Sequence, residues 1–509
     1  MRILLVHAEF PRTYWGFQYA LSITGRRATM PPLGLCTVAA HLPAAWPVRL
    51  VDVNVEPLRD DDLRWAEAVL IGGMLIQAPS MQAIVARARR HGRRTIVGGP
   101  AATTSPELFD DADVVFVGEV EGRDAELRAA IEGRQRGELA AAARPSLAGS
   151  RPPRLDLLRR DRYTTMALQT SRGCPHACEF CDVVEIFGRT PRVKDTAAVL
   201  AELDQLDQLG WRGTVFVVDD NFIGNLKAAR QLLPAIATWQ RDHGHPFEFY
   251  TEASVNLARE PALLATMVDA GFTSVFVGIE TPSLAALREV GKMQNLRLDL
   301  RDAVDRITAA GVEVMGGFIV GFDSDDETCF AAQRAFLADA PIPLAMVGLL
   351  TALPGTALWR RLDGERRLRH RSSGDQFDRP NFAPAMDERA LLDGHADLLA
   401  ELYSPEAYLR RCQAVLAGAP RPPTGRRLRP GGLRIAARAI WALGVVGPRR
   451  AMFWRLVAPA LLRSPAAVTW TISHAVQGEH LIRYTHEHVV PALRRAAAAC
   501  APTATDAAA

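Results

Sequence analysis

The sequence predicts an α/β protein built from an N-terminal doubly wound, Rossmann-like domain, a partial (β/α)6 barrel and a helical C-terminal region. Two observations carry this prediction. Up to about residue 365, short and continuously apolar runs alternate with helical patterns, as in parallel sheets whose two faces are covered by helices. Beyond residue 375 the chain is helical in pattern and basic. A length of 509 residues leaves room for about three such parts.

Residues 1–135 are expected to form the first part. Its predicted strands are "RILLVH" (2–7), "VRLVDVNV" (48–55), "AVLIGGM" (68–74), "RTIVGGP" (94–100) and "DVVFVGE" (113–119). A ligand of such a sheet binds beyond the carboxyl ends of its strands. Residues 136–158 are rich in Ala, Arg and Pro and have no periodicity, so we expect a linker there.

A second β/α series is expected over residues 159–370. Its predicted strands are "TTMALQT" (164–170), "TVFVVDD" (214–220), "FEFYTEA" (247–253), "SVFVGIE" (274–280), "EVMGGFIVGF" (313–322) and "LAMVGLL" (344–350). Chemistry in a β/α barrel takes place at the carboxyl ends of the strands. The polar residues that cluster there are Asp219, Asp220, Asn221, Glu252, Ser254, Glu280 and Thr281.

Residues 371–495 are predicted to be helical and basic, and the Ala-rich tail at 496–509 is predicted to be disordered. From Ala407 to Gly478 the chain has twelve arginines and no Lys, Asp or Glu, and Trp441, Phe453, Trp454 and Trp470 lie among apolar helical runs there. Such a surface suits an anionic membrane and a lipid-like substrate. The alternative is a helical lid whose arginine stems pack on the barrel. Nucleic acid is not expected as a partner, because no recognised binding module accompanies the charge.

The seven cysteines are odd in number and mostly scattered, which favours a reducing compartment over a disulfide framework. The N-terminal apolar run is too short for a signal peptide, and no stretch reaches 18 uninterrupted apolar residues. We therefore expect a cytoplasmic protein, with peripheral attachment to the inner face of the membrane through the basic region.

Three cysteines, Cys174, Cys178 and Cys181, lie in the loop "SRGCPHACEFC" (171–181) after the first barrel strand. A zinc knot needs four ligands, and the fourth would have to be His176 or a distant residue. A redox pair of Cys178 and Cys181 would leave Cys174 unexplained. Three thiolates can also hold three irons of a [4Fe–4S] cluster and leave the fourth iron open to another ligand.

This C-x3-C-x2-C spacing, followed by a β/α barrel, resembles the radical S-adenosylmethionine superfamily. The resemblance implies that the three cysteines are the catalytic cluster ligands and that the open iron chelates the methionine part of S-adenosylmethionine. It also implies cleavage of that cofactor to a 5′-deoxyadenosyl radical by an electron from the cluster.

Motifs on the later strands resemble those of the same superfamily, namely "VFVVDDNFIG", "YTEASVNLA", "VFVGIETPS" and "GGFIVGFDSDDE". The resemblance implies that the S-adenosylmethionine contacts are Asp219, Asp220, Glu252, Ser254, Glu280, Gly316 and Gly317. For each carboxylate the alternative is a solvated strand end or a helix cap, since caps commonly use Asp.

Residues 1–135 resemble the cobalamin-binding domain of one branch of the superfamily, through segments such as "RATMPPLGLCTVAAHL" and "IVGGPAATTSPE". The implied cobalamin contacts are Pro32, Gly34, Gly73, Leu75, Gln77, Gly98, Gly99, Gly118 and Glu119. The chain has no Asp-x-His-x-x-Gly motif, so we expect cobalamin bound base-off without a histidine below the cobalt, approached by Leu75, Ile76 or Gln77. A nucleotide-binding or structural domain is the alternative, but no G-x-G-x-x-G follows the first strand. A methylthiotransferase is disfavoured, since Cys36 is the only cysteine before residue 174.

Residues 372–412 resemble the C-terminal extension of the branch that includes hopanoid C-2 methylases. The combined resemblance implies a cobalamin-dependent radical C-methyltransferase that carries a methyl group from S-adenosylmethionine, through methylcobalamin, to an unactivated carbon. A hydrophobic lipid, hopanoid or tetrapyrrole-like substrate and an electron donor such as flavodoxin or ferredoxin are expected. The alternatives are a non-methylating outcome of the same machinery (cyclisation, ring contraction or oxidation) and a non-catalytic cobalamin or iron–sulfur sensor. The carboxylates at the barrel strand ends argue against a sensor.

Overall fold

The structure is a computed structural model that describes residues 1–141, 143–418 and 430–500, without the side chains of Pro430 and Gly431. It confirms the predicted fold class. The described residues form two six-stranded sheets, both entirely parallel, and one short antiparallel pair of strands. Helices cover the sheets and make up the C-terminal region.

The N-terminal sheet has the strand order β2-β1-β3-β4-β5-β6. Its strands are β1 (Ile3–His7), β2 (Val48–Asp52), β3 (Ala68–Gly72), β4 (Arg94–Gly98), β5 (Val114–Val117) and β6 (Gly137–Ala140). The helices around it are α1 (Gln18–Thr24), α2 (Leu33–Ala40), α3 (Asp60–Trp65), α4 (Ala78–Arg90), α5 (Pro100–Thr104) and α6 (Asp124–Ile131). Residues Ile3 to Val6 of the inner strand β1 have no exposed surface, because helices cover both faces.

Strand β6 lies in the segment that the sequence suggested was a linker. It pairs in parallel with β5 at the edge of the sheet. Its residues are mostly exposed, so it carries none of the apolar pattern that marks the other five strands.

The second sheet is a half-barrel with the strand order β14-β13-β12-β11-β10-β7. Its strands are β7 (Thr165–Leu168), β10 (Gly213–Val217), β11 (Phe247–Ala253), β12 (Phe272–Glu280), β13 (Glu313–Val320) and β14 (Ala345–Leu349), and a ribbon of β8 (Ser171–Arg172) and β9 (Arg192–Val193) follows β7. The helices are α7 (Val183–Phe187), α8 (Thr196–Gln208), α9 (Leu226–Asp242), α10 (Pro261–Asp269), α11 (Leu284–Glu289), α12 (Leu300–Ala309), α13 (Thr328–Leu337) and α14 (Ala357–Gly364). Short 3-10 turns occur in both parts of the chain, at Tyr14–Gly16, Leu75–Gln77, Pro106–Phe109, Leu155–Leu157, Arg160–Arg162, Val255–Arg259 and Asn295–Arg297.

The described residues of the C-terminal region are mostly helical from residue 388 onward. Its helices are α15 (Glu388–Leu402), α16 (Pro405–Gly418), α17 (Pro430–Ala439), α18 (Arg450–Leu461), α19 (Pro465–Tyr484) and α20 (Val490–Ala498), with π-helical turns at Ile440–Val445 and Thr485–Val489. Residues 501–509, which make up most of the tail that was predicted to be disordered, lie outside the described residues. None of the described helices combines the length and the hydropathy that a membrane span requires.

The C-terminal region also holds a loop of the N-terminal part against the barrel. The Tyr484 hydroxyl donates to the carbonyl of Arg12 at 2.8 Å, and the His480 ring lies 3.0 Å from the carbonyl of Thr13. Trp15, two residues after Thr13, reaches the barrel, where its ring centroid lies 5.3 Å from that of Phe276. A side chain from the N-terminal part therefore takes part in lining the barrel.

Candidate active site

The three cysteines lie in a loop whose entry is closed by the β8–β9 ribbon. All three are half-buried. The backbone N–H of Cys174 donates to the carbonyl of Gly188 at 3.2 Å. Gly173 has a φ of +97°, and a Cβ there would lie 2.8 Å from that same carbonyl oxygen. Only glycine fits this position, because the backbone is left-handed and the opposite limb of the loop is so close.

Two aspartates at the end of β10 hold the entry of this loop. The buried Asp219 carboxylate accepts hydrogen bonds from the backbone N–H of Thr170 at 2.6 Å, from the Ser171 hydroxyl at 2.7 Å and from the Thr170 hydroxyl. Asp220 accepts from the N–H of Gly173 at 2.8 Å. Burial raises the pKa of Asp219, and raises that of Asp220 to about 6. Both carboxylates, which the sequence assigned to S-adenosylmethionine, thus bind the cysteine loop itself.

Polar groups also surround the cysteine sulfurs. The side-chain amide of Asn221 lies 3.8 Å from Sγ of Cys174, and that of Gln294 lies 3.8 Å from Sγ of Cys178. The Lys292 side chain is only 12% exposed and forms an ion pair with Glu280. Burial lowers the pKa of Lys292, but Glu280 and the thiols Cys178 and Cys181 outweigh it, so that the pKa lies above its ordinary value.

This environment fits an anionic iron–sulfur cluster on the three cysteines. Amide donors and a cation beside thiolates stabilise their negative charge. In the described ranges no three His, Cys, Asp or Glu side chains converge as they would around a single metal ion. A [4Fe–4S] cluster binds each cysteine through a different iron, so its three sulfurs do not need to converge in that way.

Glu280 ends β12 in an unusual conformation. Its φ is +65°, which is a strained backbone conformation for a residue with a side chain. A Cβ on Gly278 would lie 2.5 Å from Oε1 of Glu280 and 2.8 Å from Nζ of Lys292. The glycine therefore leaves room for the ion pair, which in turn fixes the Glu280 side chain beside the cysteine loop.

Glu252 is the one carboxylate of the predicted S-adenosylmethionine contacts whose side chain has no hydrogen-bond partner among the described residues. It lies near Asp219 and Asp220, and burial, followed by these two neighbours, raises its pKa to about 7. The N–H of Ser254 donates to Oδ1 of Asn221 at 3.1 Å, which brings Ser254 close to the Cys174 side of the loop. Among these four carboxylates, Glu252 is therefore the one whose oxygens remain available to bind a cationic ligand.

Gly316 and Gly317 lie within β13, and both make room for aromatic rings. A Cβ on Gly316 would lie 2.7 Å from the ring of Phe318, and one on Gly317 would lie 2.7 Å from the ring of Phe276. Their approach to the adenine of a bound cofactor stays a prediction.

The residues assigned to cobalamin lie around the carboxyl ends of the N-terminal strands. Gly73, Gly98, Gly99 and Gly118 follow or end β3, β4 and β5, while Pro32 and Gly34 lie at the start of α2. Gly34 is exposed, and no atom lies within 4 Å of where its Cβ would be. Gly118 has a φ of +90°. Strand ends without side chains fit a broad, flat ligand such as cobalamin.

The three residues of the turn Leu75–Gln77, all of which were expected near the cobalt, differ in burial. Leu75 and Ile76 are half-buried. Gln77 is fully buried, where its amide donates to the carbonyl of Ala8 at 2.6 Å and its carbonyl accepts from the N–H of Met74 at 2.8 Å. The Gln77 side chain therefore holds the turn together. His7, at the end of β1, lies near Gln77, and burial lowers its pKa.

A buried ion network joins the two sets of strand ends. Arg172, in the residue pair just before Cys174, donates to Glu119 at 2.6 Å and to Glu121 at 2.9 and 2.7 Å. Arg192 of β9 donates to the same Glu119 at 2.7 and 3.0 Å. Since Glu119 and Glu121 follow β5, the cysteine loop is fixed directly to the predicted cobalamin-binding edge of the N-terminal sheet.

The sequence did not point to several polar residues of this site, namely Arg172, Arg192, Glu121, Lys292 and Gln294. A compositional signal existed for Lys292. The chain has only three lysines, Lys194, Lys227 and Lys292, among 60 basic residues. Two of them form ion pairs with buried glutamates, Lys194 with Glu202 and Lys292 with Glu280.

Comparison with protein-family models matches residues 23–128 to the B12 binding domain, residues 168–332 to the Radical SAM superfamily and residues 356–491 to a domain of unknown function. The first two matches cover β2 to β5 of the N-terminal sheet and β10 to β13 of the half-barrel.

Three curated relatives are similar over most of the chain. An uncharacterized methyltransferase of Synechocystis sp. is 40% identical over 95% of this chain and 92% of its own length. The hopanoid C-2 methylase of Rhodopseudomonas palustris is 33% identical over 96% of this chain and 94% of its own length. The bacteriochlorophyllide d C-12(1)-methyltransferase of Chlorobaculum tepidum is 25% identical over 76% of this chain and 85% of its own length.

Among solved structures, the cobalamin-dependent S-adenosylmethionine radical enzyme OxsB, with aqua-cobalamin and S-adenosylmethionine bound, has the same fold. The TM-score is 0.60 at 15% sequence identity, over 99% of this chain and 82% of that chain.

Replacement of Arg172 by methionine is expected to destabilise the protein. Removing one partner of a buried ion network leaves charge without compensation, at a cost of about 3–5 kcal/mol. The midpoint of thermal unfolding should therefore fall clearly below that of the wild type. Arg189→Met is the matched control, because Arg189 is an exposed arginine of the same loop whose one hydrogen bond, to Pro175, is 3.5 Å long. Equal midpoints for the two variants would contradict the role given to Arg172.

Glu252 predicts a pH dependence of stability. Because its pKa rises from 4.5 to about 7 on folding, the neutral carboxyl favours the folded state, and this contribution is full below pH 4.5 and is lost as the pH rises through 7. In the cofactor-free protein, Glu252→Gln should raise the thermal midpoint at pH 8 and leave it nearly unchanged at pH 5. Glu138→Gln, at an exposed position of β6, should show no such difference. A similar gain for Glu252→Gln at both pH values would contradict the assignment.

Proposed function

Because this chain belongs to the family of cobalamin-dependent radical S-adenosylmethionine methyltransferases, we propose that it methylates an unactivated carbon of a hydrophobic, polycyclic substrate. A [4Fe–4S] cluster, S-adenosylmethionine and cobalamin are its cofactors. When bound, they supply radical formation and the carrying of the methyl group. The protein's own residues hold these groups in place, orient the substrate and keep water away.

The observation that supports a hydrophobic substrate is an aromatic surface on the open face of the half-barrel. Phe216 pairs in register with Tyr250, and the two rings stack with centroids 4.4 Å apart. Glu252 pairs with Phe276, which meets Trp15. Residues in register on parallel strands share one face of the sheet. Phe216, Tyr250 and Phe276 thus lie on the same face as Glu252, whereas their neighbours on the other face are buried under helices.

We assign the following roles to the site residues. Cys174, Cys178 and Cys181 hold the cluster, with Asn221, Gln294 and Lys292 beside them. Glu252 and Ser254 are the groups best placed to bind S-adenosylmethionine, with Glu280 held next to them by Lys292. Asp219 and Asp220 position the cysteine loop. The glycine-rich strand ends would hold cobalamin, which we expect to bind base-off without a histidine ligand, and Leu75 and Ile76 would be the side chains nearest to it.

Two relatives support a large hydrophobic ring system as the methyl acceptor, since they are named for the methylation of a hopanoid and of a bacteriochlorophyllide. We further propose a low-potential electron donor of the flavodoxin or ferredoxin type. A membrane-associated substrate would place the protein at the inner face of the membrane.

The test of this function is transfer of a labelled methyl group. Anaerobically reconstituted full-length protein is incubated with a reductant, S-adenosylmethionine carrying a trideuterated methyl group, and lipid and pigment extract from a strain that lacks the gene. A product with the intact trideuterated methyl group, formed together with 5′-deoxyadenosine, is expected. Cys178→Ala should form neither, and Cys329→Ala, which removes a thiol outside the site, should form both. Accumulation of 5′-deoxyadenosine without a labelled product would point to a non-methylating reaction and overturn the proposal.

The aromatic surface predicts how a second variant behaves. Phe276→Ala removes apolar contact worth about 1.5–3 kcal/mol, so KM for the methyl acceptor should rise roughly ten- to hundredfold. Slow cleavage of S-adenosylmethionine without the acceptor should stay close to that of the wild type. Phe276→Leu keeps most of the apolar area and should recover most of the affinity. A fall in kcat with unchanged KM would contradict a role in binding the acceptor.

A further inference from the structure

Exposed apolar side chains are concentrated in one short part of the C-terminal region. Of the ten large apolar residues that are strongly exposed among the described residues, seven lie between positions 433 and 462. They are Leu433, Trp441, Val445, Val446, Trp454, Leu461 and Leu462, and we call them the apolar face. Trp441 is 63% exposed and Leu462 is 92% exposed. Large exposed apolar patches, especially those with a polar rim, mark protein–protein or membrane interaction sites.

Helix α18 forms the centre of this face and is apolar on nearly all sides. One side packs into the protein through Met452, Phe453, Leu456, Val457 and Ala460. The opposite side exposes Ala451, Trp454, Ala458, Leu461 and Leu462, with Arg455 as the charge among them. The indole N–H of Trp454 donates to the carbonyl of Gly444 at 2.9 Å. The face therefore continues from α18 onto the π-helical turn that carries Trp441 and Val445.

The charge around this face has one sign. The sequence from Ala407 to Gly478 holds twelve arginines and no Lys, Asp or Glu. Arg434, Arg438, Arg450, Arg455 and Arg463 are exposed. The acid that follows this stretch, Glu479, is engaged by Arg449 at 2.6 Å. An apolar face with an arginine rim is complementary to a surface that has an apolar interior and anionic headgroups.

We propose that the apolar face docks on an anionic phospholipid bilayer, with Trp441, Trp454 and Leu462 entering the headgroup region. Docking through a second copy of this chain is disfavoured by charge, because a two-fold contact through this face would bring arginines against arginines. The proposal that the protein docks on a bilayer depends only on this surface. The further idea that docking delivers the substrate rests on the proposed function.

The fold gives the docked surface a connection to the barrel. Helix α18 packs on α19, and α19 contacts α1 of the N-terminal part. The end of α19 holds the loop that carries Trp15, through Tyr484 and His480. The membrane-facing helix and the aromatic surface of the half-barrel are therefore joined through a single intervening helix.

Flotation of the full-length, reconstituted protein with lipid vesicles tests the proposal. The protein is expected to float with vesicles that contain phosphatidylglycerol, much less with vesicles of phosphatidylcholine alone, and less at high salt. The double variant Arg450→Glu/Arg455→Glu should reduce partitioning at least about 25-fold, since each arginine near an anionic surface contributes roughly fivefold. Trp441→Ala/Leu462→Ala should also release the protein. Both of the latter side chains are exposed, so these changes leave the core intact.

Matched controls separate this surface from exposure and charge in general. Leu284→Ala removes an apolar side chain that is 51% exposed elsewhere, and Arg64→Glu reverses an exposed arginine of the N-terminal part. Both should float like the wild type. All variants are also assayed for slow formation of 5′-deoxyadenosine without vesicles, which should stay unchanged, so that loss of docking and loss of the proposed function are told apart.

Equal flotation with neutral and anionic vesicles would overturn the proposal. So would flotation of the Trp441→Ala/Leu462→Ala variant at the wild-type level. A concentration-dependent dimer in light scattering that this variant abolishes, without any vesicle binding by the wild type, would assign the face to a second copy of the chain instead.

Discussion

The carboxylate of Asp219 is the contact on which the rest of the site depends. It accepts hydrogen bonds from Thr170 and Ser171, and Asp220 accepts one from the N–H of Gly173, so the two carboxylates bind three of the four residues before Cys174. A buried carboxylate with several donors holds its partners firmly, because none of them has water as an alternative. The same four residues include Arg172, whose guanidinium faces the N-terminal sheet. One short segment thus sets the position of the cysteines relative to both sheets.

Buried ion pairs set the geometry of this centre more than they stabilise the fold. Pairs such as Lys292 with Glu280, or Arg172 with Glu119 and Glu121, lose hydration energy that is about as large as their attraction. Their main effect is to fix the orientation of the side chains that they join. Lys292 holds Glu280 in a left-handed backbone conformation and places positive charge near two of the thiols. Arg172 leaves little freedom between the two strand-end surfaces.

The C-terminal region does more than cover the barrel. Arg411 is fully buried and donates to the carbonyls of Ile342 and Leu402, which ties α16 to the segment before β14. Trp470 and His474 of α19 both bind Glu313 at the start of β13, at 2.7 and 2.9 Å. With the contacts to residues 12–14, these bonds make α19 a connector between the barrel and the N-terminal part. The C-terminal helices therefore pack on the barrel with one face, as expected of a helical lid, and the exposed face of α18 is the one that we propose docks on a membrane.

The sequence by itself determined the order of the strands along the chain, the position of the cysteine loop and the kind of cofactors. Apolar runs, helical periods and the spacing of cysteines are local patterns, and eleven of the twelve strands of the two large sheets could be located from them. Strand β6 could not be located from the sequence, because an exposed edge strand has no apolar run. Only the tertiary structure decided which polar groups meet. Arg172 pairs with Glu119 across 53 residues, Lys292 reaches Glu280 around the end of a strand, and Gln77 turns inward to a carbonyl 69 residues away. These contacts depend on how the two sheets pack against each other, and local sequence patterns carry no information about that packing.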